Sequence, residues 1–186
     1  MFGSNVLKGV WLLARGKAAG IAAFGNTADA LFASLAPLIA FPLVATVLIT
    51  LQGQPELAII AFLTRLCVVL FVSVSVQAVA AWTGRDALWM RTATALNWSF
   101  WLLVPLLLLA GMVGAVMVSA GVPETLAIEL LVGVLAAYLL WYHWFTIHSG
   151  LQLAALPALG VVLATNLVIG LLSVAPSLID QVMARS

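Results

Sequence analysis

The stretch TLAIELLVGVLAAYLLWYHWFTIH, residues 125–148, carries a single acid, Glu129, and then no further carboxylate, lysine or arginine before it closes on Tyr138, Trp141, Tyr142, His143 and Trp144. An apolar run of roughly 20 residues is long enough to cross a bilayer as a helix. In hydrocarbon every backbone polar group has to be satisfied within the segment, which a helix achieves by itself. Residues 125–148 therefore read as a transmembrane helix with polar groups at both ends, and lipid becomes the solvent for the whole chain.

The composition agrees. Of 186 residues, 65% are hydrophobic and 7% charged, where a soluble domain carries about a quarter charged residues. Mean hydropathy is +1.24. Several spans with short connections are expected, and no separate soluble domain. Lysine and arginine number 7 and the acids 6, a balance that points to neither nucleic acid nor an acidic partner. Cys67 is the single cysteine, which excludes an internal disulfide and any multi-cysteine metal or cluster site. Near the N-terminus Lys8, Arg15 and Lys17 are interleaved with apolar residues instead of preceding an apolar core, unlike a cleaved signal peptide.

Working outward from residues 125–148 gives an all-α, polytopic transmembrane helical bundle of five spans with an N-terminal amphipathic surface helix. Residues 1–25 form that helix and a linker. Val6, Val10 and Leu13 recur at helical spacing beside Leu7 and Trp11, with Lys8 and Arg15 on the other side. Residues 26–186 hold the spans, at about 31–51, 57–82, 92–120, 125–148 and 154–175. Asn26 or Thr27 offers a cap to the first, which contains Pro37 and Pro42. Pro123 and Glu124 suit a helix start, because proline lacks a donor that would be unpaired there and the acid meets the positive end of the dipole. Gly111 with Ala115, Gly133 with Ala137 and Gly160 with Ala164 are small pairs one turn apart, suited to close helix contact.

The basic residues set an orientation. With five spans and a cytoplasmic N-terminus, Lys8, Arg15, Lys17, Arg85 and Arg91 all lie inside, leaving Arg185 outside. The C-terminus is then periplasmic in a bacterial inner membrane.

Two polar layers follow from counting along the spans. Arg65 lies roughly 13 Å in from the outer end of the second span and Asn166 about as deep in the fifth, with Glu129 some 8 Å in on the fourth. A charge at membrane depth costs on the order of 3 kcal/mol unless it is partnered or reaches water. The expectation is an intramembrane polar cluster of Arg65, Glu129 and Asn166, with Arg65 and Glu129 paired as ions. The second layer is an inner aromatic and polar rim: Gln77, Asn97, Trp98, Trp101, Trp141, His143 and Trp144. All seven tryptophans fall on that side, where amphipathic rings anchor to headgroups or wall a shallow site with His143 or Asn97 as its polar contact.

His143 and His148 are five apart, about 140° around a helix, so they do not form the i, i+4 pair of a metal site. No metal is expected. No nucleophile elbow, phosphate-binding glycine loop or paired catalytic carboxylates occur, so the chain does not read as an enzyme. No cofactor is assigned, although the rim admits a quinone, a pigment or a structural lipid.

The basic surface helix with Trp11, the Phe24 connection into the first span, the five spans, and Asn97 and Trp98 opening the third form a layout that resembles the Yip1-like five-span membrane proteins, above all the uncharacterised small inner-membrane proteins of that type in alphaproteobacteria. The eukaryotic relatives bind small GTPases through a soluble N-terminal region that this sequence lacks, and the resemblance supplies no catalytic residues. It implies a non-enzymatic integral membrane protein with a membrane-organising or protein-association role, whose partners are membrane lipids, other membrane subunits or further copies of itself. Two other classes fit the same features: an accessory subunit of a respiratory or photosynthetic membrane complex, and an oligomeric transporter or channel module.

Overall fold

The structure is a computed structural model that describes the backbone of residues 3–53 and 55–183 and the side chains of 5–53 and 55–174. Arg185 and the side chain of Asp180 lie outside the described residues. The helices are α1 (Gly3–Ala14), α2 (Ala28–Leu51), α3 (Pro55–Trp82), α4 (Trp89–Trp98), α5 (Phe100–Ser119), α6 (Glu124–Gly150) and α7 (Ala155–Met183), with 3₁₀ turns at Ala18–Ala23 and Asp86–Leu88. Among the described residues there is no strand. Five helical stretches are long and apolar enough to cross a membrane: α2, α3, the α4–α5 unit, α6 and α7. The all-α bundle expected from residues 125–148 is the fold.

Local sequence explains the element ends. Thr27 caps α2, its side chain accepting from the Ala30 N–H. Asn26 is turned away from that helix start. Its Nδ2 donates to the Ala87 carbonyl at 2.8 Å and its Oδ1 accepts from the Arg91 N–H at 3.1 Å. One side chain thus ties the approach to α2 to the connection between α3 and α4. Pro123 precedes α6, whose first turn carries Glu124. Pro37 and Pro42 stay inside a continuous α2, where the Thr46 hydroxyl donates to the Pro42 carbonyl.

Two boundaries differ from expectation. The third span is two helices, broken at Ser99. There the Ser99 and Leu102 N–H groups bond three residues back, to Leu96 and Ser99, and the Ser99 hydroxyl also donates to Leu96. Serine side chains that compete for a helix's own carbonyls tighten and bend it in this way. The fifth span continues to Met183 instead of ending at residue 175.

Packing is concentrated at one end of the bundle. One buried cluster joins Leu31, Val76, Ala80, Leu96, Ile147, Leu151 and Val162 from five helices. A second joins Val10, Leu13, Phe24, Ala95, Leu102 and Tyr142. Towards the other end only Ala58 and Ala127 are buried among the described residues, while Val47, Leu51, Leu57, Leu63, Val116 and Val132 are exposed. Apolar exposure on that scale is what acyl chains cover. The molecule thus has a packed base and an open, lipid-facing half.

The face Val6, Val10 and Leu13 that the spacing assigns to α1 turns onto the base, and Leu13 is fully buried. The Tyr138 hydroxyl donates to the Ala14 carbonyl at 2.7 Å and locks the end of the helix to α6. Leu7, Lys8, Trp11 and Arg15 stay exposed, with the Arg15 guanidinium 5.9 Å from the Trp11 ring centroid. That combination suits a headgroup boundary. Leu13→Ala is expected to weaken the docking of α1 by about 2 kcal/mol, the low end of the range for buried leucine because an undocked α1 can still bury its apolar face in lipid. Faster hydrogen exchange of the α1 amides, with the spans unchanged, is the readout; unchanged α1 exchange would show that docking does not depend on Leu13.

A candidate ligand cavity among the spans

Where the base gives way to the open half, Asn97 reaches across three helices. Its Nδ2 donates to Ser34 Oγ of α2 at 3.0 Å and to Ser73 Oγ of α3 at 3.5 Å. All three side chains are buried. Ser34 passes its own proton to the Leu31 carbonyl. The chain of bonds fixes the level of α2, α3 and α4 relative to one another, since a buried amide without partners is costly.

Directly above this layer lies a cavity of about 220 Å³, bordered by α2 through α7. Its polar lining is Asn97, Ser99, His143, Thr165 and Asn166. Ser99 Oγ and His143 Nε2 stand 3.5 Å apart. The Ser99 proton is given to Leu96, so toward the imidazole Ser99 offers only oxygen lone pairs. Asn166 Nδ2 donates to the Val162 carbonyl one turn back. The rest of the wall is largely aliphatic, including Val69, Val72, Leu103 and Ile169.

The structure thus brings Asn97, His143 and Asn166 around one space. Counting along the sequence puts Asn166 in the other layer, because that count takes its depth from residue 175 while α7 runs on to Met183. Gln77 is on the exposed face of α3 and does not join Asn97. Arg65 and Glu129 are both exposed, and among the described residues no acid oxygen lies within 4.0 Å of the guanidinium, so the expected ion pair is not formed. Two physical reasons separate them. α3 packs on α2, α4 and α7, whereas α6 packs on α4, α5, α7 and α1. Depth differs as well: Arg65 is eight residues, about 12 Å, beyond Ser73, and Glu129 is fourteen residues, about 21 Å, beyond His143.

The tryptophans surround the base. Trp141 stacks on Phe145 at 5.6 Å and Trp144 on His148 at 5.5 Å. Trp144 Nε1 donates to the Ala155 carbonyl, and His148 Nδ1 lies 2.6 Å from the Leu153 carbonyl, so both brace the turn into α7. Trp98 is half-buried against the second cluster, and Trp101 is 37% exposed beside Phe41 and Phe100. Tyr142 and Thr146, one turn apart on α6, are fully buried, and their hydroxyls have each other and no third described polar group as a neighbour to bond. Among the described residues no three His, Cys, Asp or Glu side chains gather in one place.

Ser34, Ser73, Ser99 and Thr165 give no signal in the sequence. A hydroxyl in an apolar helix usually bonds to its own preceding turn, so its type alone does not mark a site. A second space of about 630 Å³ runs between α3 and α7, with Ser75, Ala78, Gly160 and Ala164 among its small lining residues and Trp82 at one end.

Comparison with protein-family models, curated proteins and solved structures finds no match for this chain.

Proposed function

We propose that the protein is a non-enzymatic integral membrane protein that associates with other membrane components, by accepting a transmembrane helix of a partner or of a second copy in the groove between α3 and α7. The observation that carries this reading is the group of small residues in that groove, Ser75 and Ala78 from α3 with Gly160 and Ala164 from α7, set among larger apolar side chains. A Cβ at Gly160 would meet nothing within 4 Å, so the position is unfilled by the described residues. Helix association in lipid has no hydrophobic driving force and depends on the close backbone approach that such residues allow.

The same is true of Gly111 and Gly133, whose faces are open. The span glycine that does meet a neighbouring helix in the open half is Gly114, where an added Cβ would come 3.1 Å from Leu131. On this reading the base, with α1 and the seven tryptophans, lies at the cytoplasmic face of a bacterial inner membrane, in keeping with the positive charges of that end. The Yip1-like layout supports the same role.

Photo-cross-linking tests it. In a Cys67→Ser background, Ala164→Cys labelled with a benzophenone maleimide is expected on irradiation to give a covalent adduct in native membranes, of twice the chain mass for self-association or of another discrete mass for a partner. A control at Val132→Cys, on the lipid-facing side of α6, should give none. Absence of any adduct at position 164, or equal adducts at both positions, would overturn the proposal.

A further inference from the structure

We propose that the cavity above Asn97 binds a small, uncharged molecule with a flat apolar body and a hydrogen-bond-accepting carbonyl, the chemistry of a quinone head, taken up from the lipid phase. The inference is independent of the α3–α7 groove.

The lining dictates the ligand's character. Among the described residues no charged side chain borders the cavity, and a buried, unpaired charge would be strongly disfavoured there. The polar groups are not spread over the walls but concentrated at Asn97, Ser99, His143, Thr165 and Asn166, with apolar side chains elsewhere. A few convergent polar groups in an apolar pocket are what orient an amphipathic ligand.

The donors still open select an acceptor. Asn97 Nδ2 gives one proton to Ser34 at 3.0 Å and turns the other toward Ser73 at a long 3.5 Å, and the Ser99 proton goes to Leu96. Asn166 Nδ2 uses one proton on Val162 and keeps a second. His143 Nε2 faces Ser99 at 3.5 Å, beyond the usual range of roughly 2.7–3.2 Å for such a bond. The His143 imidazole on α6 and, on α7, the second Asn166 Nδ2 proton and the Thr165 hydroxyl are therefore open to a ligand carbonyl.

Shape and access agree. Leu96, Asn97, Ile147 and Val162 are buried and form the floor, whereas Val68, Val69, Leu103 and Ile169 are half-buried and form the rim. The mouth thus faces the open half, where acyl chains lie. A volume of about 220 Å³ accommodates one substituted ring, with a tail leaving past Arg65, which lies one turn above Val69 on the same face of α3.

The test uses the full chain in phosphatidylcholine nanodiscs and a benzoquinone carrying a ten-carbon tail, read by quenching of tryptophan fluorescence; Trp98 and Trp101 flank the lining residues Ser99 and Phe100. Saturable quenching at one quinone per chain is expected, and a ten-carbon alkylbenzene should not compete. Val69→Phe, which narrows the mouth without touching a polar group, should abolish saturation. Asn166→Leu and His143→Phe should each weaken binding about fivefold, the loss of one hydrogen bond. Should His143→Phe fail to fold, Val69→Phe and Asn166→Leu decide, with the thermal transition reporting their folding. Quenching that rises linearly with quinone content and is unchanged by Val69→Phe, or equal competition by the alkylbenzene, would overturn the proposal.

Discussion

Gly150→Val is expected to destabilise the folded bundle by about 3 kcal/mol, the upper part of the range for overpacking a filled core. Gly150 ends α6 at the point where α4 crosses it, and a Cβ there would lie 2.5 Å from Thr92 Oγ1 and 2.8 Å from Thr92 Cγ2. Neither partner has room to retreat. Thr92 is fully buried, and its hydroxyl is held by the Leu88 carbonyl at 2.9 Å. Valine adds two further carbons and loses χ1 freedom in a helix, so the helices must separate or α6 must unwind before the turn at Leu151. Either change also disturbs Ile147, Leu151 and Leu153, which belong to the larger buried cluster. The measurement is unfolding in mixed micelles, with Thr92→Ala as the second half of the cycle. The double variant should recover part of the loss, because the contacting Oγ1 and Cγ2 are gone. Full stability of Gly150→Val alone would show that α4 and α6 can part at this crossing without cost.

That crossing illustrates what the sequence can and cannot disclose. Five spans are legible because 65% hydrophobic residues in long runs leave no alternative to helices in lipid. The apolar face of α1 is legible from Val6, Val10 and Leu13, since helical spacing puts them on one side. Depth is not legible. Counting from helix ends assumes that the ends are level, and the continuation of α7 to Met183 moves Asn166 from one layer to the other. Neighbour relations are also hidden: nothing in the spans themselves says that α3 meets α7 but stands apart from α6. Asn97 is identifiable as a polar residue at membrane depth, yet its partners Ser34 and Ser73 come from two other helices, 63 and 24 residues away in sequence. Their pairing depends on a helix order that hydropathy does not encode. Gly150, at the end of an aromatic run, has no periodic signal to distinguish it from Gly111 or Gly133, beside which an added Cβ would touch none of the described residues.

Arg65→Leu is expected to favour membrane insertion of α3 by about 3 kcal/mol and to leave the stability of the folded bundle unchanged. Arg65 lies ten residues after Pro55, about 15 Å along the helix, close to the middle of a hydrocarbon layer roughly 30 Å thick. Among the described residues it has no ion-pair partner, and it is exposed. What lowers its cost is direction: helical side chains lean toward their own N-terminus, and a long guanidinium stem can carry the charge toward the Pro55 end of the membrane. Leucine removes the desolvation without removing an ion pair. An insertion assay on the isolated α3 segment reads the first effect and thermal unfolding of the whole protein in nanodiscs reads the second. Glu129→Gln closes a double-mutant cycle whose coupling should be near zero, since the two side chains belong to helices that do not pack together. A coupling above about 1 kcal/mol would restore the ion pair. A loss of stability in Arg65→Leu without coupling to Glu129 would instead place the counter-charge on another molecule, lipid or protein, seated against the open half. The two variants together thus separate an internal pair, an external one and a charge that simply reaches water.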